Sequence, residues 1–261
     1  MLMIGLFLLY FASPMLVDGR FVELVSGEWH PDSSFGLSAM IVGSALLSMG
    51  ATLLAFIYAI SITLTIDRLP RGSRVREGAI VLFRMLTAIP TVVYGFLGVI
   101  LLLPFMRSIS DGSGMSLLSA IVVLSLVITP TMVLFLHESF DNVPPEYSTI
   151  IHSLGGDRVD YQLYLLLRYT YRGLILTLIM GFGRAVGDTM IALMLSGNAT
   201  SLPSSPLDSI RTLTAHIALL FAGDFDSMEF QSIFASGLIL FLSSAIVVMT
   251  LRSIRRADEQ V

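Results

Sequence analysis

Residues Leu37–Ile66 read LSAMIVGSALLSMGATLLAFIYAISITLTI, a run without a single charged side chain. A helix needs about 20 mainly apolar residues to cross the hydrocarbon core of a bilayer, so this run is long enough to span a membrane and to tilt within it. Of all 261 residues, 55% are hydrophobic and 13% are charged, whereas soluble domains average roughly 25% charged residues. The sequence therefore predicts an all-α, polytopic membrane protein embedded in a lipid bilayer.

Working outward from this run, five further segments have comparable length and apolarity, so about six transmembrane helices are expected. The predicted spans are Met1–Val17, Leu37–Ile66, Ala79–Phe105, Ser116–Leu136, Leu174–Leu195 and Phe230–Leu251. We interpret the first as a short span rather than a cleaved signal peptide, because no basic residue precedes it. The predicted organisation is an N-terminal helix with an outer loop (1–36), a membrane core (37–251) with a long loop (139–173), and a tail (252–261).

The arginines of the loops are distributed unevenly. One side of the predicted membrane carries Arg68, Arg71, Arg74, Arg76, Arg158, Arg168, Arg172, Arg252, Arg255 and Arg256, and the other side carries Arg20, Arg107 and Arg211. Cytoplasmic loops are enriched in basic residues. This bias predicts that the loop 139–173 and both termini lie in the cytoplasm.

Composition also excludes several classes of function. The chain contains no lysine and therefore no phosphate-binding loop of the G-x-x-x-x-G-K type, so any ATP must be bound by another subunit and no cofactor is expected. The net charge of −4 offers no basic surface for nucleic acid. The chain has no cysteine, and its four histidines lack metal-ligand spacing. We expect neither a metal site nor catalytic residues; His137-Glu138 is interpreted as an interfacial anchor rather than a catalytic pair.

The long loop 139–173 contains a helix-start signal followed by a glycine break. Pro144-Pro145 presets the backbone for a helix, and Glu146 falls in its first turn, where an acid is favoured. Leu154-Gly155-Gly156 is typical of a helix end. Apolar residues then recur at helical spacing at Leu163, Leu166 and Leu167. The pattern predicts two short helices, which either dock into a groove of a partner or form a plain interfacial connector.

The fifth predicted span carries two charges. Arg184 and Asp188 are four residues apart, so on a continuous helix they can form an ion pair. Gly183 and Gly187 form a G-x-x-x-G step that favours close helix packing. Because ionisable residues inside a membrane are costly and mark ion or substrate paths, the pair indicates either such a path or a structural ion pair.

The third predicted span contains Pro90, which removes a backbone donor and is expected to kink the helix. Thr91 and Tyr94 then either offer hydroxyl groups to a path or simply pack. Arg84, near the start of this span, is expected to extend its side chain to the membrane surface.

The loop 139–173 resembles the coupling segment of ATP-binding-cassette (ABC) importer permeases. The resemblance lies in the proline–glutamate start, the Leu-Gly turn and the apolar run before a membrane helix. That motif begins with Glu-Ala-Ala, has a glycine seven residues on and closes with Leu-Pro. Here Thr149-Ile150-Ile151 occupies the first positions, Gly155 keeps the glycine, and Leu167-Arg168 replaces the end. The resemblance implies that an ATPase subunit contacts this segment. The implied contact residues are Glu146, Ser153, Leu154, Gly155, Gly156 and Asp157.

Three motifs resemble the phosphate-specific transport permeases, and the C-type subunit more than the A-type. The segment Gly183–Met190 is similar to their Gly-Arg-Ala-(Ile/Leu)-Gly-Glu-Thr-Met, with Asp188 replacing the glutamate. The segment Ile89–Phe96 is similar to Pro-Ser-Val-Val-Tyr-Gly-Phe. Trp29-His30-Pro31, Phe35-Gly36 and Gly43 are similar to their Trp-x-Pro and Gly-Thr landmarks. The resemblance covers roughly Trp29–Ile217. It implies a substrate path along Arg184, Asp188, Thr189, Tyr94 and Thr91, with Gly183, Gly187 and Pro90 in helix packing.

The resemblance further implies a type I importer permease that transports phosphate across a bacterial or archaeal cell (inner) membrane. Its implied partners are a second permease subunit, two ATPase subunits and an extracytoplasmic phosphate-binding protein. Sulfate and molybdate permeases share the Arg-Ala-x-Gly-Glu core but continue differently after it. Two alternatives stay open at this point: transport of another oxyanion such as sulfate, molybdate or tungstate, and an intramembrane enzyme or a regulatory membrane subunit without transport activity.

Overall fold

The structure, a computed structural model, describes residues 2–17, 25–30, 34–109, 112–221 and 228–258. Helices dominate the described residues, and a two-stranded antiparallel ribbon pairs Trp29 with Phe35. The elements are α1 (Leu2–Val17), β1 (Trp29–His30), β2 (Ser34–Phe35), α2 (Ser38–Asp67), α3 (Arg74–Ala88), α4 (Thr91–Ile109), α5 (Leu117–Asp141), α6 (Glu146–Ser153), α7 (Arg158–Tyr169), α8 (Tyr171–Val186), α9 (Met190–Leu195), α10 (Leu213–Leu220) and α11 (Met228–Asp258). Helices α4 and α7 contain π-helical turns at Gly98–Leu102 and Tyr161–Leu166.

Within the described residues, four helices are long and apolar enough to cross a membrane: α2, α4, α5 and the part Phe230–Thr250 of α11. A fifth span results if α7 and α8, which meet at a bend of 69°, are counted together. The predicted all-α polytopic fold is confirmed, and the second and fourth spans start within a residue or two of their predicted positions. The apolar part of α1, Met3–Ser13, is shorter than these spans, and its crossing of the membrane stays a prediction.

The predicted third span, Ala79–Phe105, is wrong as a single helix. Helix α3 ends at Ala88, and Pro90 lies at the N-cap of α4. A proline has no backbone N–H to donate and holds the preceding residue in an extended conformation, and Ile89 is extended, with φ −70° and ψ 128°. The span therefore begins at Thr91, and Arg84 belongs to the separate amphipathic helix α3.

The predicted fifth span, Leu174–Leu195, is also interrupted. Helix α8 ends at Val186, Gly187 is its C-cap, and the short helix α9 begins at Met190. The apolar composition of the segment continues across this break, so hydropathy alone does not reveal it.

The core lies between α2 and α5. Ala51, Ala55 and Ala59 of α2 have no exposed surface, and α5 buries a long series of aliphatic side chains including Leu124 and Ile128. Small residues let the backbones of membrane helices approach closely. Helix α8 packs on both α2 and α5, α3 packs on α5, and α11 packs on α1, α8 and α10.

The residues between α9 and α10 cover the first turn of α5. The N–H of Ser116 donates to the carbonyl of Leu195 at 2.9 Å, and the N–H of Leu117 donates to that of Asp208 at 2.9 Å. These bonds satisfy backbone donors that a helix start leaves without an intrahelical partner.

On the same end of the bundle, Trp29 stacks edge-on against buried His216, with ring centroids 4.5 Å apart. Burial and the nearby Arg211 lower the pKa of His216 to about 3, so this ring is neutral at physiological pH.

The landmark Gly43 marks a close approach of backbones. A Cβ atom on this residue of α2 would lie 2.5 Å from the carbonyl oxygen of Arg211. We expect Gly43→Ala to destabilise the protein by about 1–3 kcal/mol, because the backbone at Arg211 must shift to admit the methyl group. Thermal unfolding in detergent measures the change.

The matched control is Gly78→Ala in α3, where nothing lies within 4 Å of the added Cβ. Alanine is the better helix former by about 1 kcal/mol, so this variant is expected to unfold at the same temperature as the wild type or slightly above it. Equal melting temperatures for Gly43→Ala and Gly78→Ala would contradict the close approach.

The orientation predicted from the arginines is testable because the chain has no cysteine of its own. We expect Ser201→Cys, exposed beyond α9, to react with a membrane-impermeant maleimide in intact cells. Ser153→Cys, exposed at the opposite end of the bundle, is expected to react only after permeabilisation. Ser125→Cys, which is fully buried in α5, is the unreactive control. Labelling in the reverse order would overturn the predicted orientation.

Candidate functional site

The first part of the candidate site is the segment between α5 and α8. Helix α6 begins at Glu146 directly after its N-cap Pro145 and ends before Leu154, as predicted. Gly155 follows with a positive φ of 85°, a conformation that side chains with a Cβ rarely adopt. The N–H groups of Gly155 and Gly156 donate to the carbonyls of His152 and Ile151, so the predicted glycine break is confirmed.

Asp157 starts the second helix of this segment. Its carboxylate accepts from the N–H of Asp160 at 2.8 Å, and the Asp160 carboxylate accepts from the N–H of Asp157 at 2.9 Å. This reciprocal arrangement is a capping box, which satisfies free donors at a helix start. The hydrogen bond from the Asp160 backbone is the main reason that the pKa of Asp157 is held below its usual value.

The two helices of the segment face different surroundings. No residue of α6 is buried, and Leu154 at its end is 79% exposed. In contrast, Tyr161 and Leu166 of α7 are buried together with Phe140 and Val143 at the end of α5. Helix α6 packs on this cluster only through Tyr147 and Ile151, and its exposed apolar tip is suited to contact with a second protein.

The second part of the site is a group of polar side chains inside the bundle. Arg184 lies in the last turn of α8 and is partly buried. Its Nη1 donates to the hydroxyl of Thr131 in α5 at 2.7 Å. Tyr94 and Asp188, both partly buried, interact electrostatically with the same guanidinium. The structure therefore gathers Arg184, Thr131 and Tyr94 from three helices, together with Asp188 from the link between α8 and α9.

Arg184 and Asp188 do not form the ion pair that an unbroken helix would allow. Among the described residues, the Arg184 side chain bonds to Thr131, whereas the Asp188 carboxylate accepts from the N–H of Ile191 at 2.9 Å. The reason is the helix end at Val186, which removes the one-turn spacing between the two residues. Asp188 is instead the residue that caps the first turn of α9.

Among the described residues, the hydroxyl groups of the other predicted path residues do not bond to Arg184. The Tyr94 hydroxyl donates to the carbonyl of Leu86 at 3.1 Å and thus bridges the break between α3 and α4. Thr91 and Thr189 are the residues at the starts of α4 and α9. Within the part of the chain that the structure describes, no hydrogen bond joins either of them to the Arg184 guanidinium.

The predicted G-x-x-x-G packing step is half correct. A Cβ on Gly183 would lie 3.1 Å from Val247 of α11, so this glycine does face another helix. A Cβ on Gly187 would meet only the backbone of α8, at 3.7 Å and beyond. Gly187 ends the helix rather than packing against a neighbour, and Pro90 likewise separates two helices.

Two further features were not predicted from the sequence. The first is the contact of Thr131 with Arg184. The only sequence signal for it was the run Thr129-Pro130-Thr131, which places two hydroxyl groups inside the apolar fourth span. The other is an ionic cluster in which the Asp141 carboxylate contacts Arg76 at 2.5 Å and His137 at 3.2 Å. The cluster joins α3 to the end of α5, and it gives His137 a structural partner in place of Glu138.

Comparisons with known proteins bear on the family of this chain. The family model described as binding-protein-dependent transport system inner membrane component matches residues 58–256. The chain is 30% identical to the probable ABC transporter permease protein YqgH of Bacillus subtilis, over 88% of this chain and 75% of that protein. It is 28% identical to the phosphate transport system permease protein PstC of Mesorhizobium japonicum, over 89% and 77% of the two chains.

Solved structures of importers share the fold. The chain superposes on a bacterial alginate ABC transporter with a TM-score of 0.67 and 13% identity, over 96% of this chain and 86% of that one. The inward-facing MetNI methionine ABC transporter gives a TM-score of 0.65 at 13% identity, over 85% and 95%. The matched family model, the relatives and the shared fold together show that this chain belongs to the family of binding-protein-dependent transport system inner membrane components, the permeases of ABC importers.

Proposed function

We propose that this ABC importer permease translocates inorganic phosphate. The phosphate transport permeases of Mesorhizobium japonicum and Methanocaldococcus jannaschii, 28% and 27% identical to the chain, support the substrate. The observation that carries the proposal is the position of Arg184, whose guanidinium lies inside the bundle on the hydroxyl of Thr131.

A guanidinium at this position has the chemistry that phosphate requires. Phosphate carries one or two negative charges near neutral pH, and a region of low dielectric constant disfavours it unless a positive charge compensates. Arginine stays charged and offers a planar fork of donors that matches two phosphate oxygens. Thr131 occupies one donor of Arg184 through Nη1. The rest of the fork is available to an anion that approaches from the side of Tyr94 and Asp188.

The Asp188 carboxylate has a distinct role in this proposal. Its charge opposes an anion at Arg184, so that phosphate binds only transiently and leaves again. A permease site benefits from this weakness, because the extracytoplasmic binding protein supplies the main selectivity.

The proposed complex contains this chain, a second permease subunit, two ATPase subunits and a phosphate-binding protein, in the inner membrane of a bacterial or archaeal cell. The family description names a binding-protein-dependent system, and the related alginate transporter was solved with its periplasmic protein. The exposed helix α6 and Leu154 provide the contact with an ATPase subunit, which carries out ATP hydrolysis. In this arrangement both termini of the permease lie in the cytoplasm.

We expect Arg184→Gln to lower phosphate uptake by roughly 10- to 100-fold, since hydrogen bonds to charged groups contribute about 1.5–3 kcal/mol. Arg184→Lys should recover only part of the loss, because it keeps the charge without the fork. Asp188→Asn should have a smaller effect, because asparagine caps a helix as well as aspartate does. Uptake of radiolabelled phosphate into proteoliposomes with matched amounts of protein measures each variant.

The matched control is Arg107→Gln, which removes an exposed arginine at the end of α4 and should leave uptake near that of the wild type. Competition with sulfate, molybdate and tungstate in the same assay tests the substrate. Wild-type uptake by Arg184→Gln would contradict the proposed path, and stronger competition by another oxyanion than by unlabelled phosphate would contradict the substrate.

The coupling contact is tested at Gly155. Proline cannot adopt the positive φ of 85° found there, so Gly155→Pro should distort the turn and abolish the stimulation of ATP hydrolysis by the phosphate-loaded binding protein. Insertion into the membrane should be unaffected, because the turn is exposed. ATP hydrolysis in proteoliposomes and cross-linking of Leu154→Cys to the ATPase subunit measure the two parts of the proposal.

Gly72→Pro is the control for backbone strain alone. Gly72 also has a positive φ, of 80°, and nothing lies within 4 Å of its Cβ position, but it belongs to the turn between α2 and α3. Equal loss of stimulation in both variants, or an ATPase subunit that cross-links to the turn at Gly72 and never to Leu154→Cys, would place the coupling contact elsewhere.

A further inference from the structure

A buried glutamine connects the coupling segment to a helix that is distant in sequence. Gln162 lies in the π-helical turn of α7 and is 1% exposed. π-helical turns within helices occur frequently at functional sites. Burying a primary amide is costly unless its donors and acceptor are all bonded, so the partners of this side chain reveal what holds it.

Among the described residues, the side-chain partners of Gln162 lie in the last turn of α2 and at its C-cap, Arg68. The Gln162 Nε2 donates to the carbonyl of Leu64 at 2.8 Å and to the carboxylate of Asp67 at 3.2 Å. The Gln162 Oε1 accepts from Nε of Arg68 at 3.1 Å. Both ends of the amide are therefore used, and each bond crosses more than 90 residues of sequence.

Two further contacts join these elements. Leu64 packs against the small apolar cluster that contains Tyr161 and Leu166, and the Arg158 guanidinium donates to the Arg68 carbonyl. Apolar packing is non-directional and permits sliding, whereas hydrogen bonds demand short distances and good angles. Gln162 contributes three hydrogen bonds to the register between α7 and the end of α2, and Arg158 contributes one.

Gln162 lies in the part of the chain that leads from the coupling segment into α8. The coupling segment continues directly into α8, which carries Arg184, through the bend of 69° between α7 and α8. Helix α2 has no such covalent link to the segment. A displacement of α6 therefore reaches α8 along the backbone but reaches α2 only through side chains.

We propose that Gln162 is a positioning residue that makes α2 move together with the coupling segment during each transport cycle. The inference rests on the proposed contact between α6 and an ATPase subunit. Through Gln162, one displacement of the segment acts on α2 and α8 together, and these two helices pack against each other in the core. Without it, α2 follows the segment less closely, and more ATP is hydrolysed for each phosphate transported.

The test measures how many ATP molecules are hydrolysed per phosphate transported by the complete complex in proteoliposomes, with binding protein present. We expect Gln162→Leu to raise this ratio by roughly tenfold, the factor expected from the loss of hydrogen bonds to a buried amide. Gln162→Glu should also raise it, because its carboxylate would face both the carbonyl of Leu64 and the carboxylate of Asp67. Adding Asp67→Asn to Gln162→Glu should bring the ratio part of the way back to that of the wild type, since the new amide can donate to the new carboxylate while the Leu64 carbonyl stays without this donor.

Recovery of the ATP-to-phosphate ratio in the double variant shows that residue 162 acts through its hydrogen bonds and not only by filling space. This comparison tests the inference even if Gln162→Leu fails to assemble. An unchanged ratio in the assembled Gln162→Leu complex, or no recovery in the double variant, would overturn the inference. Cross-linking of Leu154→Cys to the ATPase subunit is recorded in parallel. Retained cross-linking with an unchanged ratio rejects only the role of Gln162, whereas its absence in the otherwise wild-type complex rejects the proposed coupling contact itself.

Discussion

Ala51, Ala55 and Ala59 line one face of α2 and have no exposed surface, because α5 lies directly against them. In a membrane the lipid is as apolar as the side chains, so helices associate mainly through close packing. The remaining elements attach to this pair: α8 packs on both helices, and the Arg76–Asp141 contact holds the start of α3 at the end of α5. The packed α2–α5 pair thus provides the surface on which the broken helices are positioned.

Helix α2 reaches both ends of the bundle, and a polar contact secures it at each end. Near its start, the hydroxyl of Ser44 accepts from the N–H of Leu213, and Gly43 allows the backbone at Arg211 to approach. At its other end, Leu64, Asp67 and Arg68 hold Gln162. Under the proposed coupling, these directional bonds link a shift of the segment between α5 and α8 to the opposite end of α2. This is how a packed assembly turns a local displacement into a change at the opposite surface.

The sequence was informative where one local signal dominates. Uninterrupted apolar runs located α2 and α5, and Pro145, Glu146 and Gly155 located α6 with its glycine turn. It was uninformative where tertiary contacts decide. The end of α8 at Gly187 lies within a run that stays apolar, so the pairing of Arg184 with Asp188 was predicted from a helical spacing that does not exist. Thr131 and Gln162 act through partners far away in sequence, and no periodic pattern identifies such contacts.

The break after Val186 also explains how two charges are tolerated inside the bundle without pairing. Arg184 stands in the last turn of α8, where the carbonyl ends of the helix carry partial negative charge and stabilise a cation. Asp188 stands just before α9, where a free N–H of the first turn bonds its carboxylate. Each charge is thus stabilised by backbone groups, and the guanidinium is not neutralised by the carboxylate one turn away. A continuous helix would have allowed the two side chains to pair and would have occupied part of the guanidinium fork, so the interruption of this span supports the proposed role of Arg184.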